Sequence, residues 1–207
     1  MNRFCVAAAA VALLAACESS TPEPATDTPA AAGPAVGSIE WKIQSYSSAA
    51  PAAIAANATV LDWNDSLKAP GTEIRKGSNG WTCLPLMPPP AGGFTTATEA
   101  APMCADANAM QWAQSYMTKT KPMNKTLGIA YMLHGDTGVS NTDPYATAAT
   151  ADNDWIATGP HIMIFPADAN RIRDVPTEHR AGAPYQMWKG TPYAHIMIPV
   201  SGEASQH

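Results

Sequence analysis

A four-residue phrase, His-Ile-Met-Ile, occurs twice near the C-terminus, at residues 161–164 and 195–198. Prolines lie close to both ends of each copy, and β-branched residues between such breakers are typical of short strands. Each copy therefore predicts a β-strand that begins with a histidine. Because alternate residues of a strand face the same side, each histidine shares a face with the methionine two positions later.

The rest of the chain predicts more strands and one clear helix. Residues 106–119 place apolar side chains at three- and four-residue spacing, as in an amphipathic helix, and residues 127–133 are typical of a central strand. Charged residues make up only 14% of the chain, which also has 19 prolines, and this composition indicates a compact, loop-rich fold. We expect a single α+β domain in which a mostly antiparallel sheet of about five or six short strands packs on one main helix.

The first residues are typical of an export signal. Arg3 precedes an apolar run over residues 4–15, which matches the charged and apolar regions of a signal peptide. The run is too short to span a bilayer. Residues 1–16 are therefore predicted to be a signal peptide.

The end of this run, Leu-Ala-Ala-Cys at residues 14–17, resembles the bacterial lipobox. The resemblance implies that cleavage precedes Cys17, that the sulfur of Cys17 is lipidated, and that acyl chains anchor the protein. Glu18 follows in place of an aspartate, which implies an outer-membrane position facing the periplasm. The alternative is an ordinary signal peptide cleaved nearby.

Composition separates a tether from a folded domain. Residues 17–37 are rich in Ala, Pro and Thr and contain no basic residue, so they predict a disordered tether. Residues 38–207 predict the globular domain. The net charge is −5 and no run of Lys or Arg occurs, so neither nucleic acid nor an anionic membrane surface is an expected partner. The expected partners are the bilayer, through Cys17, and a small ligand or an envelope protein.

Two cysteines remain in the predicted domain, Cys83 and Cys104. In an oxidising compartment they predict a disulfide. A metal-thiolate pair or a redox couple is the alternative, although no Cys-x-x-Cys spacing is present.

Histidines at strand ends suggest a metal or ligand site. The strand at residues 127–133 opens into a polar loop that begins with His134 and contains Asp136. If this strand runs antiparallel to both repeat strands, these side chains meet His161 and His195 at one rim of the sheet.

The methionines of the repeat extend this hypothesis. Met163 and Met197 would add thioether sulfur to the imidazoles, a set that suits copper, while imidazoles also suit zinc. The alternative is that both methionines fill the core and that the histidines are structural.

A hydrolase is a second hypothesis. Ser140 lies in the polar loop, with His134, His161 or His195 as a candidate base and Asp136 or Asp143 as its orienting group. No Gly-x-Ser-x-Gly motif accompanies it. The loop equally resembles a self-capping turn.

A calcium site is a further alternative, with Asp136, Asp143, Asp152 and Asp154 as candidate ligands. The spacing of these aspartates along the sequence is not the regular spacing of a calcium-binding loop. We expect a binding or structural module more than an enzyme.

Three segments, at residues 128–143, 159–164 and 187–199, carry the phrases Ser-Asn-Thr-Asp-Pro, Gly-Pro-His and Gly-Thr-Pro-Tyr-Ala-His. These look like a group of secreted bacterial proteins of unassigned activity. The resemblance implies a single exported domain and gives no reaction, cofactor or catalytic residue.

Overall fold

The computed structural model describes residues 33–64, 71–180 and 182–200. The predicted signal peptide, the lipobox with Cys17 and most of the predicted tether lie outside the described residues. The described residues belong to one compact unit, Gly33–His207. In this part of the chain, no helix has both the length and the apolar character needed to cross a membrane.

Among the described residues, the regular structure consists of four short α-helices, ten strands and one 3-10 helix at Ala169–Ile172. The helices are α1 (Ile39–Ser47), α2 (Ala52–Ala55), α3 (Ala97–Ala100) and α4 (Ala107–Met117). The strands are β1 (Thr59–Asp62), β2 (Thr72–Arg75), β3 (Thr82–Leu84), β4 (Met103–Ala105), β5 (Gly128–Met132), β6 (Val139–Ser140), β7 (Trp155–Ile156), β8 (His161–Phe165), β9 (Tyr185–Met187) and β10 (His195–Pro199).

Eight of these strands form one sheet in the order β2-β1-β3-β4-β5-β8-β10-β9. The sheet is mixed, because β1 and β3 pair in parallel whereas the other neighbours are antiparallel. Strands β6 and β7 form a separate two-stranded ribbon. Both repeat strands therefore lie in the C-terminal half of the large sheet, next to each other.

The predicted fold class is wrong. The sheet has eight strands and is mixed, a second small sheet is present, and four short helices replace one main helix. The strands were undercounted because β4, β6 and β7 have only three, two and two residues, which is too short to show a period-two pattern. The predicted helix at 106–119 does exist as α4, with Asp106 as its N-cap.

The large sheet is packed on both faces. Met103 and Ala105 point from β4 into a core around Trp112 of α4, whereas Cys104 points into a second core around Tyr46 of α1. This split follows from the alternation of side chains along a strand. The core around Trp112 supports the half of the sheet that contains the repeat.

The predicted disulfide is confirmed. Cys83 and Cys104 are direct cross-strand partners in β3 and β4, and their sulfurs are bonded at 2.04 Å. The bond closes a loop with a sequence separation of 21 residues. Closing a loop of this length contributes about 3 kcal/mol in the chain-entropy model.

Candidate functional site

The two copies of His-Ile-Met-Ile pair with each other. In the antiparallel pair of β8 and β10, Met163 lies opposite Met197 and Ile162 lies opposite Ile198. The copies are therefore related by a local twofold axis through the two methionines. Equivalent residues of the two copies, such as the two histidines, therefore lie at opposite ends of the β8–β10 strand pair.

The predicted shared rim is consequently wrong for His195, whereas His161 does lie beside the end of β5 that leads to His134 and Asp136. His161 lies at the end of β8 that pairs with Met132 of β5, whereas His195 lies by the other end, with its ring 5.1 Å from that of Phe165. These two ends are four residues apart along β8, a distance of about 13 Å. The prediction assumed that β5 is antiparallel to both repeats, but β8 lies between β5 and β10, so β5 and β10 run in the same direction.

The repeat's inward side chains are part of the core. Met163 and Met197 are buried, which confirms their alternative role as core residues. The His195 ring contacts Trp112 and Trp188 edge-on, and its Nδ1–H donates to the carbonyl of Tyr193 at 3.0 Å. Burial lowers the pKa of His195 to about 4, so this ring is neutral and structural near pH 7.

His161 is held in a similar way. Its Nδ1–H donates to the carbonyl of Gly159 at 2.7 Å, which leaves Nε2 as an unprotonated acceptor. Nε2 is buried without a hydrogen-bond partner among the described residues. Burial lowers the pKa of His161, although the Gly159 carbonyl and the charge of Asp136 oppose this effect.

The other residues of the predicted rim hold loops in place. His134 Nε2 lies 2.7 Å from Ser48 Oγ, at the end of α1. The Asp136 carboxylate accepts hydrogen bonds from the backbone of Gly138 and from both the backbone and hydroxyl of Thr158. In the described part of the chain, no three His, Cys, Asp or Glu side chains come together as a metal site.

Ser140 is a turn residue in this structure. It is completely buried, and its Oγ accepts the backbone N–H of Asp143 at 2.8 Å and that of Thr142 at 3.2 Å. These bonds match the self-capping alternative. Among the described residues, no imidazole is bonded to this hydroxyl.

A cleft beside the β6–β7 ribbon brings together charged groups from distant parts of the sequence. Its volume is about 250 Å³, slightly below the usual range of ligand pockets. It is lined by Asn141, Thr142, Asp154, Thr177, Glu178, His179, Arg180 and Lys189. Two of these residues flank the ribbon, since Asn141 directly follows β6 and Asp154 directly precedes β7.

A fixed carboxylate–imidazole pair lies in this cleft. His179 Nε2 is 3.2 Å from Asp154 Oδ2 and 3.4 Å from Oδ1, while Asn141 Nδ2 donates to the same Oδ2 at 3.1 Å. Because a carboxylate accepts, the imidazole donates to Asp154 from Nε2. The His179 side chain is only 14% exposed, and its ring packs near Tyr185.

One buried acceptor in the cleft lacks a partner within the described residues. Asn141 is 4% exposed, and its Oδ1 forms no hydrogen bond there. A buried polar atom without a partner is costly, and in native proteins it commonly marks a place where water, an ion or a ligand binds. The Asn141 oxygen therefore has an unused capacity to accept a hydrogen bond beside the Asp154–His179 pair.

No protein-family model, curated protein or solved structure matches this chain. The assignment of a site consequently depends on the geometry of the cleft.

Sequence reasoning missed His179 altogether and considered Asp154 only as a calcium ligand. The signal that was present is the run Glu178-His179-Arg180, three ionisable residues in a row in a chain with few charges. Nothing in the sequence shows that Asp154 lies beside it, because the ribbon and the approach to β9 bring the two segments together.

Proposed function

We propose that this chain is an exported, lipid-anchored protein of the bacterial cell envelope whose domain binds a small zwitterionic solute in the cleft at Asp154 and His179. The observation that supports the binding role most directly is the fixed Asp154–His179 pair beside the unpartnered acceptor of Asn141. The envelope location is supported by the lipobox resemblance and by the disulfide, which suits an oxidising compartment.

The charges of the cleft favour a solute that carries both signs. Asp154 and Glu178 are acidic, whereas Arg180 and Lys189 are basic. A ligand ammonium group can donate to the Asn141 oxygen and to Asp154, and a ligand carboxylate can accept from Arg180 or Lys189. A ligand with only one charge would leave one set of these groups without a counter-charge.

The lipid anchor has its own test. Replacing Cys17 with alanine should move the protein from the membrane fraction to the soluble fraction of the expressing cells and should abolish labelling by a radioactive fatty acid. Cys5→Ala is the matched control, since Cys5 lies within the predicted signal peptide, and it should keep both properties. Fatty-acid labelling that persists in Cys17→Ala would reject the anchor.

The cleft is tested with one dipeptide and its two capped forms. Alanyl-alanine carries an ammonium and a carboxylate, N-acetyl-alanyl-alanine lacks the ammonium, and alanyl-alanine amide lacks the carboxylate. We expect calorimetric titration to show binding of the free dipeptide that weakens about tenfold or more when either end is capped, which corresponds to about 1.4 kcal/mol for each lost charge pair.

Variants of the cleft should lose the same preference. Asp154→Asn removes the carboxylate that fixes His179, and Arg180→Gln removes an exposed cation, so both are expected to weaken binding of the free dipeptide about tenfold. Arg173→Gln and Asp174→Asn are matched controls, because these residues form an exposed ion pair outside the cleft, and they should bind as the unchanged chain does. Equal affinity for all three dipeptides, or no binding of any, would exclude the zwitterion site.

A further inference from the structure

The segment from the last residue of α4 to the start of β5 concentrates positive charge. Residues 117–127, here called the basic loop, contain Lys119, Lys121 and Lys125 and no acidic residue. All three lysines are exposed. The loop therefore holds three of the twelve Lys and Arg residues of a chain whose net charge is −5.

The same loop exposes apolar side chains. Met123 is 77% exposed, Leu127 is 50% exposed and Met117 is 41% exposed. Single exposed apolar residues are ordinary on protein surfaces. Three of them interspersed with lysines match the composition of segments that lie at the boundary between lipid headgroups and acyl chains.

The basic loop is held in place by its polar contacts. Asn124 is buried, and its side-chain amide donates to the carbonyls of Thr126 at 2.9 Å and Phe165 at 3.3 Å. The Tyr193 hydroxyl donates to the carbonyl of Thr120 at 3.1 Å. Because these bonds already order the backbone, binding to a surface costs less conformational entropy than it would for an unanchored loop.

We propose that the basic loop contacts an anionic lipid surface. Charge complementarity selects this partner, since lysines are attracted to anionic headgroups, and the exposed methionines and leucine suit the acyl boundary more than an acidic protein surface. One carboxylate, that of Asp143, lies close enough to α4 to raise the pKa of Tyr116, after the larger effect of burial.

The sequence alone does not predict an anionic membrane as a partner, because no run of Lys or Arg occurs. One residue separates the first two lysines and three residues separate the second from the third. They form a basic surface because all three are exposed on one loop whose backbone is held by hydrogen bonds. The proposal does not depend on the acyl anchor or on the cleft. An anchor at Cys17 would raise the local concentration of the loop at the membrane without supplying its preference for charge.

The test uses the chain from residue 17 onward with Cys17→Ala, so that no acyl chain is attached. Its binding is measured by sedimentation with vesicles of phosphatidylcholine alone and with vesicles of equal parts phosphatidylcholine and phosphatidylglycerol, at low and high salt. We expect binding to the anionic vesicles at low salt that falls as salt screens the lysines.

Two variants and a control identify the basic loop as the contact. Lys121→Glu/Lys125→Glu should lower partitioning onto anionic vesicles at least about tenfold, and Met123→Ser should lower it about threefold. Lys76→Glu/Arg173→Glu makes the same change in net charge at exposed residues elsewhere and should retain most of the binding. All these side chains are exposed, so the variants should unfold at the same urea concentration.

Three results would overturn the proposal. The first is equal binding to neutral and anionic vesicles, and the second is an equal loss of binding in the control variant. The third is retention on an acidic polymer such as heparin without any binding to vesicles, because this would assign the lysines to an acidic macromolecule.

Discussion

Replacing Trp112 with alanine is expected to lower the free energy of unfolding by about 4 kcal/mol, the middle of the range for aromatic core residues. Trp112 is 4% exposed and lies where α4 meets the sheet. Five other rings have centroids 4.3 to 6.1 Å from its own: Phe165, His195, Tyr116, Trp188 and Tyr193. Alanine would leave a cavity that these rings cannot all move to fill, because they also pack on one another.

Trp81→Ala is the matched control for this prediction. Trp81 is only partly buried and contacts the ring of Tyr131 at 5.6 Å, so its loss should cost about 1 kcal/mol. Both values follow from urea unfolding monitored by circular dichroism. Equal losses in the two variants would mean that the ring cluster around Trp112 does not dominate the stability of the fold.

Acidification is expected to destabilise the fold between pH 6.5 and pH 4 through its buried histidines. The pKa of His195 falls from an ordinary value of 6.5 to about 4 in the folded chain because of burial. Between these values the unfolded chain binds more protons than the folded chain, so the stability decreases as the pH falls. The loss from His195 is about 3 kcal/mol, and His161, whose pKa burial also lowers, acts in the same direction.

The variant that isolates this effect is His195→Asn. An asparagine amide can still donate to the Tyr193 carbonyl in place of Nδ1–H, but it does not titrate. The variant should be less stable than the unchanged chain at pH 7.5, because part of the ring volume is lost. Its further loss of stability between pH 7.5 and pH 4 should be about 3 kcal/mol smaller. An unchanged pH dependence would show that His195 does not titrate during acid unfolding.

The sequence identified local elements well and their arrangement poorly. The periodicity of α4, the central strand β5 and the Cys83–Cys104 pair were all visible, because each depends on local spacing or on a small number of cysteines. Strand order was not visible. β4 is a three-residue strand next to a proline-rich loop, and no local pattern shows that it lies between β3 and β5.

The candidate site shows the same division. The period-two pattern correctly placed each histidine of the repeat on one face with its methionine, and the core burial of Met163 and Met197 agrees with this. The prediction that both histidines lie at the same edge of the sheet was wrong, because the relative direction of two strands depends on which strands lie between them. The pairing of Asp154 with His179 depends on contact between loops, for which hydrophobic periodicity carries no information.

The self-pairing of the repeat has a consequence for folding in a crowded compartment. Because β8 and β10 share four consecutive residues, the β8 strands of two chains can form the same Met–Met and Ile–Ile contacts that β8 and β10 form within one chain. The native pair prevails because both strands belong to the same chain and meet at a high effective concentration. Pro160, Pro166 and Pro199 lack the N–H that would extend such a ladder, so any pairing between chains stops after a few residues.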